Sequence, residues 1–286
     1  YSYNCTLTTQ NWKREIPGDP INFGLADFNN DGKVELYAKD AIYDAHTGTR
    51  LVPSQNWSDM NGGPVAVDIL GDSKLELVVG GYIYGVNVGN GTEDDGSLTE
   101  LKKLNDYYIR FAYSATSVAD YNEDGFLDVL ISGSTGSKGQ NTTIFFWDVQ
   151  NNTVKTFFDN TTGAYLPNGW QYGTGRLNIA DLDGVNGLNV SYVSGKFLYA
   201  LDENLELLWR KEINEETSGH TGCTLFDFNA DGKSEIVYRD EQFLYIINGT
   251  DGSEFTRQDC ISRTNRVYPI VADVDADGST ELCVPC

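Results

Sequence analysis

Residues 26–35 read Ala26-Asp27-Phe28-Asn29-Asn30-Asp31-Gly32-Lys33-Val34-Glu35. Asp27, Asn29, Asp31 and Glu35 place side-chain oxygens at positions one, three, five and nine of a loop. Gly32 permits a sharp turn, and the backbone carbonyl of Lys33 fills position seven. Calcium takes six to eight hard oxygen ligands, and alternate side chains of such a loop converge on one ion. The same phrase recurs at Asp120, Asn122, Asp124, Phe126 and Asp128, at Asp227, Asn229, Asp231, Lys233 and Glu235, and at Asp273, Asp275, Asp277, Ser279 and Glu281. An EF-hand needs a bidentate Glu at position twelve, where this chain has Ala38, Ile131, Tyr238 and Val284. The closing carboxylate stands at nine and runs into a strand-like stretch, so these are loops between strands. Two further copies are degraded. Asp68 to Glu76 has Leu70 at three and Ser73 in place of the glycine, and Asp181 to Asn189 has Val185 at five. We expect about four Ca²⁺ ions, with the Asp68 and Asp181 loops empty or weak.

The first aspartates stand at 27, 68, 120, 181, 227 and 273, at intervals of 41, 52, 61, 46 and 46 residues. A period near 40 to 50 residues holding several short strands is that of a propeller blade. Around Asp227 the strands read as Thr224 to Asp227, Ile236 to Arg239, Phe243 to Ile247 and a short fourth near Glu254 to Thr256. Leu98, Leu101 and Leu104 give the best hint of helical spacing, equally compatible with an outer strand. From Asp273 to the end is 13 positions and from the start through Asp27 is 27, which together make one repeat of 40. Asn11-Trp12-Lys13-Arg14-Glu15-Ile16 also echoes Leu208-Trp209-Arg210-Lys211-Glu212-Ile213. The expected fold is all-β, a single domain over residues 1–286. It is a six-bladed β-propeller of four-stranded antiparallel blades, closed by N- and C-terminal strands in one composite blade, which leaves no sheet edge open.

Phe23-Gly24 precedes the first loop, and Ala26 to Gly32, Phe226 to Gly232 and Ala272 to Gly278 share one pattern, followed in the first repeat by the turn Tyr43-Asp44-Ala45-His46-Thr47-Gly48. On these residues the chain resembles the FG-GAP or VCBS-type repeat propellers of integrin α-subunits and secreted bacterial surface proteins. It departs in lacking the GAP tripeptide after the second strand. The resemblance implies a calcium-stabilised propeller that binds, displays or assembles.

The 286 residues carry a net charge of −22, and four Ca²⁺ ions with 8 positive charges would reduce it to −14. Such acidity speaks against nucleic acid and anionic membranes as partners, and no stretch is long and apolar enough for a membrane-spanning helix. Tyr1 in place of Met, with no signal peptide, suggests a processed or partial product. Loops of this kind fill at extracellular calcium levels. Eight Asn-x-Ser/Thr triplets, at Asn4, Asn56, Asn90, Asn141, Asn151, Asn160, Asn189 and Asn248, point the same way and are candidate glycosylation sites. Of five cysteines, Cys5 and Cys283 are expected to bridge the terminal strands, with Cys223 and Cys260 as further disulfide candidates.

Catalytic constellations are thin. His46 and His220 read as turn and loop residues, and neither G-x-S-x-G nor H-E-x-x-H occurs. One enzymatic reading remains, a calcium-dependent polysaccharide lyase in which the ion neutralises a uronate before proton abstraction. The reading adopted is a non-catalytic extracellular or cell-surface module, glycosylated and calcium-stabilised. Its partners are further copies of itself, as in a surface filament, or a surface protein or glycan. Tyr107 with Tyr108 and Trp170 with Tyr172 are candidates for stacking on sugar rings.

Overall fold

The structure is a computed structural model that describes residues 12–13, 23–38, 41–53, 63–104, 112–135, 141–159, 174–185, 187–215, 221–261 and 268–286. The described residues are all-β, with no helix among them. The first sheet holds β1 (Phe23–Ala26), β2 (Glu35–Ala38), β3 (Ile42–Asp44) and β4 (Arg50–Val52). The second holds β5 (Val65–Val67), β6 (Glu76–Val79), β7 (Tyr82–Asn87) and β8 (Ser97–Lys103). The third holds β9 (Ala112–Ala119), β10 (Asp128–Thr135), β11 (Asn141–Asp148) and β12 (Thr153–Asp159). The fourth holds β13 (Asn178–Ala180), β14 (Asn189–Ser194), β15 (Phe197–Leu201) and β16 (Leu207–Glu212). The fifth holds β17 (Cys223–Phe226), β18 (Glu235–Arg239), β19 (Phe243–Ile247) and β20 (Glu254–Asp259). A sixth sheet has two strands, β21 (Ile270–Ala272) and β22 (Glu281–Cys283). Every sheet is antiparallel with its strands in chain order. The expected strands around Asp227 match the fifth sheet to within three residues, and Leu98 and Leu101 lie on the outer strand β8, with Leu104 just past its end.

The chain divides into two compact units, residues 1–58 with 63–103 and residues 59–62 with 104–286. The single domain expected over residues 1–286 is therefore described in two parts. The first contains sheets one and two, the second sheets three to six. In sheets two, four and five the second strand is the buried centre: β6, β14 and β18 are buried along their whole length. A strand covered on both faces gains nothing from polar alternation, and β6 and β18 accordingly carry the runs Leu77-Val78-Val79 and Ile236-Val237-Tyr238, while β14 interleaves Ser191 and Ser194 with Val190, Tyr192 and Val193. In the second unit, Tyr121, Leu130 and Ile144 of sheet three form one core with Val190, Tyr192 and Tyr199 of sheet four. Leu182, Val193 and Leu198 form the next core with Ile236, Tyr238 and Ile247 of sheet five. The outer strands of sheets two to five are wet, and all six residues of β20 are exposed, whereas β4 is largely buried.

Successive sheets are also clasped at their rims. Trp209 on β16 donates its indole N–H to the carbonyl of Gly249 in the β19–β20 turn at 2.7 Å. The ring lies so close to Gly252 (φ +74°) that a Cβ there would stand 2.7 Å from it, which only glycine permits. In the first unit Trp12 repeats this arrangement on the β3–β4 turn, donating to the Ala45 carbonyl at 3.0 Å and lying against Gly48. The echo between the two tryptophan segments thus has a common physical meaning. Arg50 of β4 reaches Asp94 in the β7–β8 turn in the same sense, its Nε donating at 2.6 Å.

One disulfide joins Cys260, just past β20, to Cys286. This corrects the expected pairing: Cys283 is exposed and free, and Cys223 is buried and free. Cys223 cannot reach a partner because it points into the core between sheets four and five, where Asn178 donates to its Sγ at 3.0 Å. Cys5 lies outside the described residues.

The Trp209 clasp separates into a hydrogen bond and a packed ring. Trp209→Phe should lower unfolding free energy by about 1 kcal/mol, the worth of one such bond. Trp209→Ala should cost about 3 kcal/mol through the cavity left behind. Urea unfolding midpoints at constant slope check both.

Candidate metal centres

Each loop is held by a register that all six hairpins share. The residue before position one pairs with position nine: Ala26 with Glu35, Val67 with Glu76, Ala119 with Asp128, Ala180 with Asn189, Phe226 with Glu235 and Ala272 with Glu281. From there the position-nine side chain turns back into the loop and accepts the backbone N–H of position two. The distances are 2.9 Å from Phe28 to Glu35, 3.2 Å from Ile69 to Glu76 and 3.0 Å from Tyr121 to Asp128. They are 2.7 Å from Leu182 to Asn189, 2.8 Å from Phe228 to Glu235 and 2.8 Å from Val274 to Glu281.

The aspartate at position one ties the loop's far side. Asp27 accepts the N–H groups of Asp31 and Gly32 at 3.1 and 2.8 Å, and Asp120, Asp227 and Asp273 accept the equivalent pairs. Position five then accepts the N–H of position seven, as Asp31 does from Lys33 at 2.8 Å. These bonds require a left-handed residue at position six, where Gly32, Gly125, Gly232 and Gly278 have φ between +83° and +90°. The donor set at positions one, three, five and nine is all oxygen, which suits a hard cation such as Ca²⁺ or Mg²⁺ and not zinc or copper.

Without a counter-charge the carboxylates crowd one another. Burial raises the Glu35 carboxyl above its usual range, and Asp27 and Asp31 add repulsion to what the Phe28 N–H relieves. Asp128 is pushed up to about 7, chiefly by burial, opposed by hydrogen bonds from Tyr121 and Asn122 and aided by Asp148 and Asp124. A bound cation would favour the ionised form of both.

Among the described residues, two groups of three carboxylates approach one another within 4.8 Å: Asp273 with Asp275 and Glu281, and Asp68 with Asp72 and Glu76. The second group lies in a loop expected to be degraded. Its closure is intact, with Asp68 accepting from Asp72 and Ser73 at 3.0 and 2.8 Å. Glycine has moved to position four, as Gly71 (φ +71°), while Ser73 takes the left-handed conformation at six (φ +69°). Only the position-three oxygen is missing. The displaced glycine was the available signal. The Asp27, Asp120 and Asp227 loops carry Asn at position three, whose amide oxygen accepts the N–H of position five in each.

The Asp181 loop is the one that has changed function. Asn189 is 1% exposed and spends its Oδ1 on Leu182, so its buried Nδ2 faces inward as a donor without a hydrogen-bond partner. An amide N–H₂ cannot ligate a cation. The same burial leaves little room for a glycan on Asn189 in the folded chain. Asn90 and Asn151 are exposed, Asn248 is half-buried, and Asn141 opens β11. Asn4, Asn56, Asn160, His220, Tyr107, Tyr108, Trp170 and Tyr172 lie outside the described residues. His46 is exposed in the β3–β4 turn.

No protein-family description matches the chain, and no curated protein matches it. Solved structures do. The chain is similar to the crystal structure of the V. cholerae biofilm matrix protein Bap1, with a TM-score of 0.62 and 15% identity over 93% of this chain and 66% of that one. It is also similar to rhamnogalacturonan lyase YesW, with a TM-score of 0.51 and 14% identity over 92% of this chain and 54% of the lyase. The chain therefore spans just under two thirds of one relative and about half of the other. At these identities the likeness is one of fold.

Two substitutions separate closure of a loop from ligation. Glu235→Ala removes the acceptor of the part-buried Phe228 N–H and should cost about 1 kcal/mol of unfolding free energy even in chelator. Asp231→Asn keeps an acceptor for Lys233 and should alter stability only when calcium is present. Peptide mapping of native material should find Asn189 unmodified in every molecule.

Proposed function

We propose that the six repeats form one six-bladed propeller of FG-GAP/VCBS type, closed by its terminal strands, and that it serves outside the cell as a non-catalytic, calcium-stabilised and glycosylated structural or adhesive module. The observation that carries this reading is the sixfold hydrogen bond from position two to position nine, which prepares oxygen cages in five of six loops and no reactive group in any. The Trp12 clasp supports the closure, since it seats the N-terminal segment on sheet one as Trp209 seats sheet four on sheet five. The disulfide suits an oxidising compartment. Likeness to a biofilm matrix protein supports a role in a surface layer, with further copies of the chain or a surface protein or glycan as partner.

A second reading, a calcium-dependent polysaccharide lyase, is favoured by the likeness to rhamnogalacturonan lyase. It would require a base near an ion, whereas the loop carboxylates here are occupied in closing their own backbones.

Metal analysis of native protein should return about four to five calcium equivalents per chain. Chelation should lower the melting temperature, because an ion that binds only the folded state stabilises it by mass action. Fewer than two equivalents would sink the calcium reading. Incubation with rhamnogalacturonan or polygalacturonate should give no rise in unsaturated-product absorbance, and a calcium-dependent rise would replace the first reading with the second.

A further inference from the structure

The Asp181 loop holds its shape by its own hydrogen bonds. Asp181 accepts the N–H groups of Asp183 and Gly184 at 3.2 and 2.7 Å, and Asn189 closes the loop on Leu182. Two of its backbone carbonyls are given to the next repeat. The Asp181 carbonyl accepts the Ser234 N–H at 2.8 Å, and the Leu182 carbonyl accepts the Thr250 hydroxyl at 2.9 Å. The Lys233 stem lies across Gly184, where a Cβ would stand 3.1 Å from its Cδ. Gly249 in turn lies so close to the Ser234 carbonyl that a Cβ would have no room, and Gly249 is itself held by the Trp209 indole at 2.7 Å. Positions seven and eight of the Asp227 loop are therefore gripped by the Asp181 loop and by the clasped β19–β20 turn.

The Ser234 N–H and the Lys233 carbonyl belong to one peptide unit. That unit is planar and trans, so its N–H and C=O point in opposite directions. Fixing the N–H on Asp181 therefore fixes the aim of the carbonyl, which is the position-seven ligand of the Asp227 cage. The Lys233 N–H is fixed as well, by Asp231 at 2.9 Å, so the ligating residue is held at both ends. A hydrogen bond to the N–H also polarises the carbonyl of the same peptide, which strengthens it as a ligand. In the other successive loop pairs that lie within one unit, Asp27 with Asp68, Asp120 with Asp181 and Asp227 with Asp273, no such bond occurs among the described residues. We infer that the Asp181 loop is a support that aims the Lys233 carbonyl, so that calcium affinity at the Asp227 cage is set in part by residues of the fourth repeat that touch no ion. The inference rests on the calcium reading proposed above. Closed by a neutral amide at Asn189, the support is in place before calcium arrives.

Isothermal titration of calcium into the chelator-stripped full chain tests this, the Asp227 component being the part that Asp231→Asn removes. Ser234→Pro deletes the N–H and should weaken that component about tenfold, the scale of a lost outer-shell contact. Ser234→Ala keeps the N–H and should restore native binding. Thr280→Pro makes the same change at position eight of the Asp273 cage, which lacks the bond, and should weaken that cage by less than about twofold. Trp209→Phe leaves the cage backbone untouched but frees Gly249, and should weaken the Asp227 component about threefold. If Ser234→Pro does not fold, Trp209→Phe decides. An Asp227 component indifferent to both substitutions, or equal losses in Ser234→Pro and Thr280→Pro, would overturn the support while leaving the calcium reading intact. A native chain that takes up no calcium would overturn both.

Discussion

The hydrogen bond from the position-two N–H to the position-nine side chain is the constraint on which each repeat depends. It joins the first residue after one strand to the first residue of the next, so it sets the register of the hairpin and the shape of the loop together. A buried N–H left without an acceptor costs on the order of 1–3 kcal/mol, and the same carboxylate that removes this penalty brings a charge into the loop. Stability of the hairpin and affinity for a cation therefore share one residue. Asn189 shows the two roles coming apart, since it retains the closure and gives up the charge.

The rim clasps answer a different demand. Sheets stacked face to face through apolar second strands have a non-directional core, which fixes burial better than it fixes angle. Trp12 on Ala45, Arg50 on Asp94 and Trp209 on Gly249 each add a directional contact far from that core. With a long lever arm, a single hydrogen bond at the rim restrains rotation more than one near the centre would. The glycine beneath each indole is needed for the ring to approach at all.

Much of the all-β repeat pattern was legible because period and turn chemistry are local. The loops at Asp27, Asp120, Asp227 and Asp273 announce themselves within nine residues, and the tryptophan echo could be read before its partner turns were known. What escaped depends on three dimensions. The Asp68 loop, expected to be empty or weak, keeps the intact loops' left-handed conformations at positions four and six, with glycine at four and serine at six. Asn189 satisfies the glycosylation triplet in sequence, yet aligning it with Glu35, Glu76, Asp128 and Glu235, all buried, places it inside. Cysteine pairing was misread because Cys283 and Cys286 lie three residues apart, and only the path of the chain after β22 decides which one meets Cys260.

That disulfide also decides how the end of the chain carries load. A pull applied at Cys286 is transmitted through the sulfur bridge to Cys260 and so to the segment leaving β20, not along β22. The stretch between the two cysteines, which stand 26 positions apart, forms with the two-stranded sheet and its acidic loop a covalent ring in parallel with the force. It is sheltered from extension until the bridge is reduced. Under tension applied there, the redox state of one bond would then set whether the two-stranded sheet and its acidic loop are stretched at all.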